Sequence, residues 1–340
     1  MAHSPTARRF TFVLLDRFTM LPFAAALDAL RLANKMAGAR LYDWRLVGPD
    51  GGFATCSNGA QIRLDGGLGD EVMGRDDTVI VCGGDAITAQ AARPVLSWLR
   101  RQARTGATLA AVCTGAHVLA KAGLLDGRRA TIHWESHDSF AETFPEVHLH
   151  RQVFVDDGAR LTAGGGTSSI DMMLHVIGRA QGADLAAQIA DQMLHTGIRT
   201  GRDHQRLSIA TRIGIRHPRL AAVVARMEAN LENPVSPSQL AQDAGMSTRQ
   251  LERLFLRYLN RSPKRYYVEA RLARARQLLL NTDLPLIEIA VACGFSSSSH
   301  FSKCYRERYG TSPHRERGVQ KAATVVALPP RADAVLALAS

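Results

Sequence analysis

The sequence predicts an α/β fold with a doubly wound parallel sheet, followed by an all-α domain. Over the first 200 residues, short apolar runs alternate with stretches of helical spacing, which is typical of a parallel sheet with helices on both faces. From about residue 220 onward the strand-like runs stop, and two similar helical segments follow one another. These two observations divide the chain into an α/β part and a helical part.

Five apolar runs in the first part have the length and composition of strands. They are residues 9–15, 42–48, 77–84, 107–113 and 161–166. Four segments between or after them have helical spacing, namely residues 22–36, 93–104, 115–122 and 168–181. Because sites in such sheets form at the carboxyl ends of strands, the residues that follow these runs are the first candidates for a binding site.

Composition and charge narrow the class of protein. Of the 340 residues, 46% are hydrophobic and 21% charged, as in ordinary globular proteins. The apolar runs are too short for a membrane span or a signal-peptide core, and five scattered cysteines form neither a disulfide nor a zinc pattern. We therefore expect a cytoplasmic protein with no membrane partner. The net charge is +11, and residues 217–318 hold 16 lysines and arginines against 9 acidic residues, which favours a nucleic-acid partner.

Shifts in composition predict the domain boundaries. The α/β domain is expected over residues 1–200 and the helical domain over 220–318. A segment rich in arginine and histidine, residues 201–219, has the composition of a linker. Residues 319–340 are rich in alanine and valine with a Pro-Pro break, and we expect this tail to be disordered.

The helical domain contains an internal repeat. One copy starts at Leu240 and the other at Ile289, and each has a short apolar helix, a glycine, and then an amphipathic helix. The two turn glycines are 49 residues apart, whereas the prolines that end the copies are 50 apart, so one residue is inserted in the second turn. A serine after the glycine, Ser247 or Ser296, is expected to cap the second helix. This is the helix-turn-helix layout, and two joined units can place recognition helices in successive major grooves, about 34 Å apart.

The stretch "LPLIEIAVACGFSSSSHFSKCYRERYGTSPHRER" closely resembles the C-terminal signature of AraC-family transcription regulators, and the resemblance covers Leu220 to Arg317. It implies that double-stranded promoter DNA and RNA polymerase are partners. It also implies base contacts from early residues of each recognition helix: Arg249, Gln250, Arg253, Ser298, Ser299, His300 and Lys303. Arginine can read guanine and glutamine can read adenine. Helical spacing instead predicts core positions for Leu251, Phe255, Phe301 and Tyr305.

Cys113 ends the apolar run 107–113, and Thr114 and Gly115 break the pattern before a helix begins. A nucleophilic residue in a strand–turn–helix is how many hydrolases display their nucleophile. Catalysis would also need a base, for which His133 is the candidate, and oxyanion donors, for which the backbone amides of Gly83, Gly84 and Thr114 are candidates. The residues alone leave open whether Cys113 is catalytic.

The first part resembles the ThiJ/PfpI group of class I glutamine-amidotransferase-like domains over residues 9–197, through "ALDALRLAN", "VIVCGGD", "AAVCTGAHVLAKAGLLDGRRATIHWE" and "LTAGGGTSSIDMMLHVI". Such a domain before an AraC module is the layout of GlxA-type regulators. The resemblance implies a flavodoxin-like sheet, a homodimer, and a sensor that responds to an amine or amino-acid derivative. It further implies that the protein regulates a catabolic operon, as an activator.

Two departures from the group indicate that the domain is not an enzyme. Members that catalyse reactions often have histidine directly after the cysteine, where this chain has Thr114. They often carry an acid near residues 20–23, where this chain has none; Asp16 and Asp28 are the nearest. The alternative is a cysteine-dependent hydrolase, amidase or hydratase fused to a DNA-binding module, with Cys113 and His133 as its catalytic residues.

We call the strand–turn–helix at Cys113, Thr114 and Gly115 the elbow. The expected ligand pocket lies around it, with Gly83, Gly84, Asp85, Cys113, Thr114, His133, Trp134, Gly165 and Thr167 as its residues. We expect no metal, because His133 and His137 lie four residues apart without a third ligand that the spacing specifies. We expect no cofactor, because "GGGTSS" lacks the lysine of a phosphate-binding loop.

Overall fold

The computed structural model describes residues 7–85, 92–205 and 217–318. The chain forms two compact units, Met1–Gln205 and Arg206–Ser340. The tail expected over residues 319–340 and the middle of the expected linker, 206–216, lie outside the described residues. Within the described ranges, no helix combines the length and the apolar composition that a membrane span requires.

A seven-stranded sheet forms the centre of the first unit. The strands of this unit are β1 (Arg8–Leu14), β2 (Tyr42–Gly48), β3 (Phe53–Thr55), β4 (Gln61–Arg63), β5 (Gly66–Gly67), β6 (Thr78–Cys82), β7 (Thr108–Val112), β8 (Arg129–Ala130), β9 (His148–Leu149), β10 (Phe154–Asp156) and β11 (Arg160–Ala163). The order in the main sheet is β10-β11-β7-β6-β1-β2-β5. All its pairs are parallel except β10 with β11, which is antiparallel. The doubly wound, flavodoxin-like sheet is confirmed, with an antiparallel edge in addition.

Helices cover both faces of this sheet. They are α1 (Met20–Ala37), α2 (Arg93–Arg104), α3 (Gly115–Lys121), α4 (His137–Thr143), α5 (Ser168–Gln181) and α6 (Ala183–Gln192). Alternate side chains of a strand point to opposite faces. Accordingly, Phe10 and Phe12 of β1 pack with α1, α5 and α6, whereas Val13 packs with α2 and α3. The two resulting apolar cores fix the strand ends that carry the candidate site.

The second unit is helical and has two cores. Its helices are α7 (Pro218–Ala229), α8 (Pro237–Asp243), α9 (Thr248–Leu259), α10 (Pro263–Asn281), α11 (Leu286–Ala292) and α12 (Ser298–Tyr309). The central helix α10 contributes to both cores: Tyr267 packs with α7, α8 and α9, and Leu272 packs with α11 and α12. Each helix-turn-helix therefore has its own core, and α10 joins them, as the repeat predicts.

Candidate functional site

Cys113 occupies a sharp turn between β7 and α3. Its φ is 59°, in the left-handed region that costs a residue other than glycine about 1–3 kcal/mol. The turn closes against β6 so tightly that a Cβ at Gly115 would collide with the Val81 carbonyl oxygen. The tight strand–turn–helix that the sequence predicts is therefore present, and the structure adds that its cysteine has a strained backbone.

The thiol of Cys113 is buried between strand ends. Cys113 is 7% exposed, and the Thr19 hydroxyl oxygen lies 3.7 Å from its Sγ. A Cβ at Gly165 would lie 3.0 Å from the Cys113 Cβ, so this turn is in direct contact with the cysteine. Burial raises the pKa of the Cys113 thiol, while hydrogen bonds with Thr19 and Thr114 lower it to a smaller extent. At neutral pH Cys113 is therefore a protonated thiol.

His133, the candidate base, is engaged within its own turn. Its Nδ1 accepts a hydrogen bond from the Glu135 amide at 3.4 Å and lies 3.8 Å from the Glu135 carboxylate. Burial lowers the pKa of His133, and the Glu135 carboxylate opposes this effect. Among residues 7–85, 92–205 and 217–318, no hydrogen bond joins His133 to Cys113. In the part of the chain that the structure describes, Cys113 and His133 are therefore not joined as a nucleophile and its base.

The two glycines after β6, Gly83 and Gly84, allow neighbouring backbone segments to approach closely. The amide of Gly83, a candidate oxyanion donor, already donates to the Val112 carbonyl at 3.4 Å, because pairing with β7 continues one residue past the strand. The Gly84 carbonyl accepts a hydrogen bond from the Thr114 hydroxyl at 2.7 Å. A Cβ at Gly84 would collide with the Arg17 carbonyl oxygen. These contacts leave the Gly83 amide unavailable to a substrate oxyanion.

The nine predicted ligand residues fall into two groups. Five contact one another around the elbow: Gly83, Gly84, Cys113, Thr114 and Gly165. The other four are characterised by contacts outside this cluster or by their exposure: Asp85, His133, Trp134 and Thr167. Asp85 pairs with Arg17 at 3.0 Å, Trp134 is 38% exposed, and Thr167 accepts a hydrogen bond from Arg199 at 2.8 Å.

Two cavities of the first unit lie away from the elbow. One, of about 320 Å³, lies at the amino ends of the strands and is lined in part by Arg8 and Thr78. The other, of about 650 Å³, is lined by residues of α5 and α6, including His175 and Arg179, and by Arg199. None of the nine predicted ligand residues lines either cavity. Their linings come from distant parts of the chain, so no local motif marks them.

Sequence reasoning missed a buried network close to the elbow. The carboxylate of Asp171 is fully buried and accepts hydrogen bonds from His195 and Arg199. The side-chain amide of Gln205, in the expected linker, donates to Ile132 O at 2.8 Å. The partners are 24 to 73 residues apart, so no spacing pattern reports them. Residues 201–205 thus belong to the first unit rather than to a free linker.

The recognition helices α9 and α12 each begin at a serine cap. Ser247 accepts from the Gln250 amide, and the Gln250 side chain accepts from the Ser247 amide at 2.8 Å, which completes a capping box. In the second helix-turn-helix the cap is Ser297, which accepts from the His300 amide at 3.2 Å, and the expected cap Ser296 lies one residue too early. The inserted residue of the second copy lies in this turn and shifts the cap by one position.

The seven predicted DNA-contact residues are all exposed: Arg249, Gln250, Arg253, Ser298, Ser299, His300 and Lys303. In the part of the chain that the structure describes, Arg249, Arg253 and Lys303 form no ion pair. Elsewhere in the same unit arginines are paired: Arg265 with Glu269 at 3.1 Å, for example. The predicted core residues Leu251, Phe255, Phe301 and Tyr305 are fully buried, as expected. The exposed face of each recognition helix therefore carries cations that are available to DNA.

The turn of the second helix-turn-helix is held by Arg271 of α10. Its guanidinium lies 4.1 Å from the centre of the Phe295 ring and donates to the carbonyls of Cys293 and Gly294 at 2.7 and 2.6 Å. Arg271 thus combines a cation–π contact with two carbonyl hydrogen bonds in one place. The sequence pattern does not reveal this role, because nothing local distinguishes Arg271 from a surface arginine.

Comparison with known proteins agrees with this architecture. Residues 8–179 match the DJ-1/PfpI family, and residues 240–318 match a helix-turn-helix domain family. The HTH-type transcriptional regulator GbdR of Pseudomonas aeruginosa is 46% identical over 319 residues, which cover 94% of this chain and 86% of that protein. The HTH-type transcriptional regulator GlxA of Rhizobium meliloti is 38% identical over 313 residues, which cover 91% of this chain and 95% of that protein.

A solved structure shows the same fold. A THiJ/PfpI family protein from Pseudomonas syringae is similar with a TM-score of 0.50 at 17% identity, over 66% of this chain and 86% of that chain. Such low identity speaks for the fold alone. The assignment to a family rests on the two family matches and on the relatives GbdR and GlxA. The chain belongs to the AraC-type transcription regulators that have an N-terminal DJ-1/PfpI domain.

Proposed function

We propose that this regulator activates a catabolic operon when a small metabolite, an amine or an amino-acid derivative, binds beside Cys113 in the first unit. The observation that carries the proposal is the geometry of the elbow: Cys113 has a strained backbone, and its thiol is buried and has no basic side chain paired with it among the described residues. Backbone strain of this kind persists only where the surrounding structure enforces it, and it is concentrated at functional sites. Shaping a binding site is a function of this turn that does not require a thiolate.

The proposed ligand contacts are the residues around and beside the elbow: Gly83, Gly84, Asp85, Cys113, Thr114, His133, Trp134, Gly165 and Thr167. The exposed Trp134 supplies an aromatic face that attracts a cationic ligand, and the carboxylate of Asp85, which pairs with Arg17 at 3.0 Å, lies next to Gly84 in the chain. Glu135, whose charge acts on the Cys113 thiol, adds negative potential at the same end of the sheet. A ligand that carries an amine fits this potential better than a simple anion does.

The second unit binds double-stranded DNA, and we propose that its readout comes from the exposed residues of α9 and α12. Arg249 and Arg253 lie one helical turn apart on one face and have no competing carboxylate among the described residues. The amide oxygen of Gln250 is used in the capping box, so its NH₂ group remains for a base. The short serines of α12 allow close approach and water-mediated contacts.

We further propose that the protein acts as a homodimer that contacts RNA polymerase at the promoter, as the family architecture implies. Ligand binding would then shift the population of sensor conformations, and with it the placement of the DNA-binding units on a repeated site. The ligand needs to bind the active conformation more tightly than the inactive one for any such shift.

The test is the melting temperature of the full chain against a panel of amines, amino acids and their catabolic acids. A ligand at a hundredfold excess over its dissociation constant stabilises the folded state by about 2.7 kcal/mol and raises the melting temperature. We expect a shift that persists after hours of incubation, because the compound is bound and not consumed.

The competing function is a cysteine-dependent hydrolase, amidase or hydratase fused to a DNA-binding module. It predicts that the shift fades as the compound disappears, and that Cys113→Ala abolishes this consumption. The sensor proposal predicts that Cys113→Ala changes the affinity for the ligand or leaves it unchanged, without any turnover to lose. Measuring the compound by mass spectrometry during incubation separates the two.

A further inference from the structure

We infer that Arg199 and Gln205 are positioning residues of the proposed ligand site, and that through them the last segment of the first unit responds to the contents of that site. We call residues 195–205 the exit segment, because the first unit ends at Gln205. The inference rests on the proposed function in one respect, the location of the ligand beside Cys113. It adds a physical connection between that location and the end of the unit.

Arg199 anchors the exit segment to the start of α5. The buried carboxylate of Asp171 accepts hydrogen bonds from the Arg199 amide at 2.8 Å, from Arg199 Nε at 2.9 Å and from His195 Nε2 at 2.8 Å. The guanidinium continues past Asp171, and its Nη2 donates to the Thr167 hydroxyl at 2.8 Å. Thr167 directly follows the turn Gly164–Gly166. One arginine therefore joins the exit segment both to a buried charge and to the end of the turn that contacts Cys113.

The side chain of Gln205 packs against the same turn on the side opposite to Cys113. Its Nε2 lies within hydrogen-bond distance of three acceptors, Thr131 Oγ1 and Ile132 O at 2.8 Å and Gln152 O at 3.0 Å, which its two N–H groups share. A Cβ at Gly164 would collide with the Gln205 side-chain amide, so this amide packs directly on the Gly164 backbone. Ile132 precedes His133 in the chain. Gln205 thus fixes the backbone on both sides of the proposed ligand site.

The turn of residues 164–166 lies between Cys113 and the side chain of Gln205. Gly165 contacts Cys113 on one side, and Gly164 contacts Gln205 on the other. A group that enters between Cys113 and Gly165 must displace Gly165, because a Cβ at Gly165 would already lie only 3.0 Å from the Cys113 Cβ and 3.2 Å from its Sγ. Since Gly164 is the adjacent residue, the displacement reaches Gln205 and the hydrogen bonds of the exit segment. The coupling is reciprocal: a change in the exit segment alters the free energy of placing a group beside Cys113 by the same amount as that group alters the free energy of the exit segment.

The exit segment also supplies a matched control. Arg202 lies between Arg199 and Gln205 in the chain, but its side chain is exposed. Within the described residues its side chain forms neither an ion pair nor a hydrogen bond. Arg202→Ala removes the same kind of side chain from the same segment without touching the turn.

The test uses iodoacetamide on the full chain, with the modification of each cysteine followed by peptide mass spectrometry. We expect Gln205→Ala and Arg199→Ala each to speed the alkylation of Cys113 by about fivefold to tenfold, because the turn that covers the thiol loses its support. Arg202→Ala should leave this rate unchanged. Cys82 is fully buried in β6 and reports global unfolding in the same sample, so its rate should stay constant in all variants.

Two results would overturn the inference. Cys113 rates equal to wild type in both variants would mean that the exit segment does not support the turn. Parallel increases at Cys113 and Cys82 would mean that the two residues only stabilise the whole unit. The experiment involves neither a metabolite nor DNA, so its failure is distinguishable from failure of the proposed function.

The reverse direction is tested by hydrogen exchange on wild type alkylated at Cys113. The added group should accelerate exchange in peptides that cover residues 195–205, where the amides of Arg199 and Gln205 donate to Asp171 and to Arg151 O. Cys113→Ala treated with the same reagent is the control and should show no acceleration. Unchanged exchange in the alkylated wild type would contradict reciprocal coupling.

Discussion

Burial sets the charge of the titratable residues at the centre of the first unit. His117 follows Cys113 by one helical turn and packs against Phe144 and Phe140, with ring centres 5.0 and 6.4 Å apart. Its Nδ1 has no hydrogen-bond partner among the described residues. Burial lowers the pKa of His117 to about 4. The imidazole of His117 is therefore buried in its neutral form. Its position four residues after Cys113 would otherwise suggest a catalytic histidine.

This assignment predicts a specific dependence of stability on pH. The unfolded chain protonates His117 near pH 6.5, whereas the folded chain does so only near pH 4, so the unfolded state binds more protons between these values. Stability is complete above pH 6.5 and falls as the pH drops, with a loss of about 2 kcal/mol at pH 5. In urea titrations at pH 7.5 and pH 5.0, His117→Leu should lose less stability than wild type by about that amount. Equal losses in the two proteins would show that His117 is not buried in its neutral form.

At the scale of elements, the two helix-turn-helix units differ in how their turn glycines are surrounded. Gly245 and Gly294 both have positive φ, of 64° and 72°. A Cβ at Gly245 would meet nothing within 4 Å, whereas one at Gly294 would lie 2.6 and 2.7 Å from the carbonyl oxygens of Leu231 and Glu232. These carbonyls belong to the connection between α7 and α8, so the turn of the second helix-turn-helix packs against the first helix-turn-helix.

The difference between the two glycines predicts unequal effects of the same substitution. Gly245→Ala and Gly294→Ala both incur the backbone strain of positive φ, about 1–2 kcal/mol. Gly294→Ala adds a collision with two backbone carbonyls, which cannot rotate away as a side chain does, and should cost about 1–3 kcal/mol more. Chemical denaturation of both variants measures the difference. If they are equally destabilised, the two helix-turn-helix copies do not pack through this turn.

Helices with strong periodicity could be predicted from the sequence. Short strands, and contacts between residues that are far apart in the chain, could not. The predicted runs 93–104 and 168–181 coincide with α2 and α5. Strands β3, β4 and β10 have three residues each, too few to show a period of two. Helix α6 follows α5 after one residue, Gly182, so its pattern merges with that of α5. At the site, the elbow followed from local sequence, whereas Thr19, Arg199 and Gln205 reach it from elsewhere in the chain.

At the scale of the whole molecule, the arrangement of charge separates structural cations from those available to DNA. Outside the recognition helices, several arginines of the second unit are held by carboxylates: Arg226 by Asp243 at 2.9 Å and Arg276 by Glu316 at 2.6 Å. The basic excess of this unit therefore rests on residues such as Arg249 and Arg253, which have no such partner in the described ranges. Unpaired cations of this kind contact phosphates and bases.

The central claim is that the exposed residues of α9 and α12 read a specific promoter sequence, and selective enrichment of genomic DNA fragments by the full chain tests it most directly. Wild type should enrich fragments that share a repeated element, and Arg253→Ala should bind them about 1–3 kcal/mol more weakly with relaxed preference at one base. Arg265→Ala, which removes an arginine paired with Glu269, is the control and should enrich the same fragments as wild type. Enrichment by Arg253→Ala that matches wild type in sequence and affinity would contradict the account.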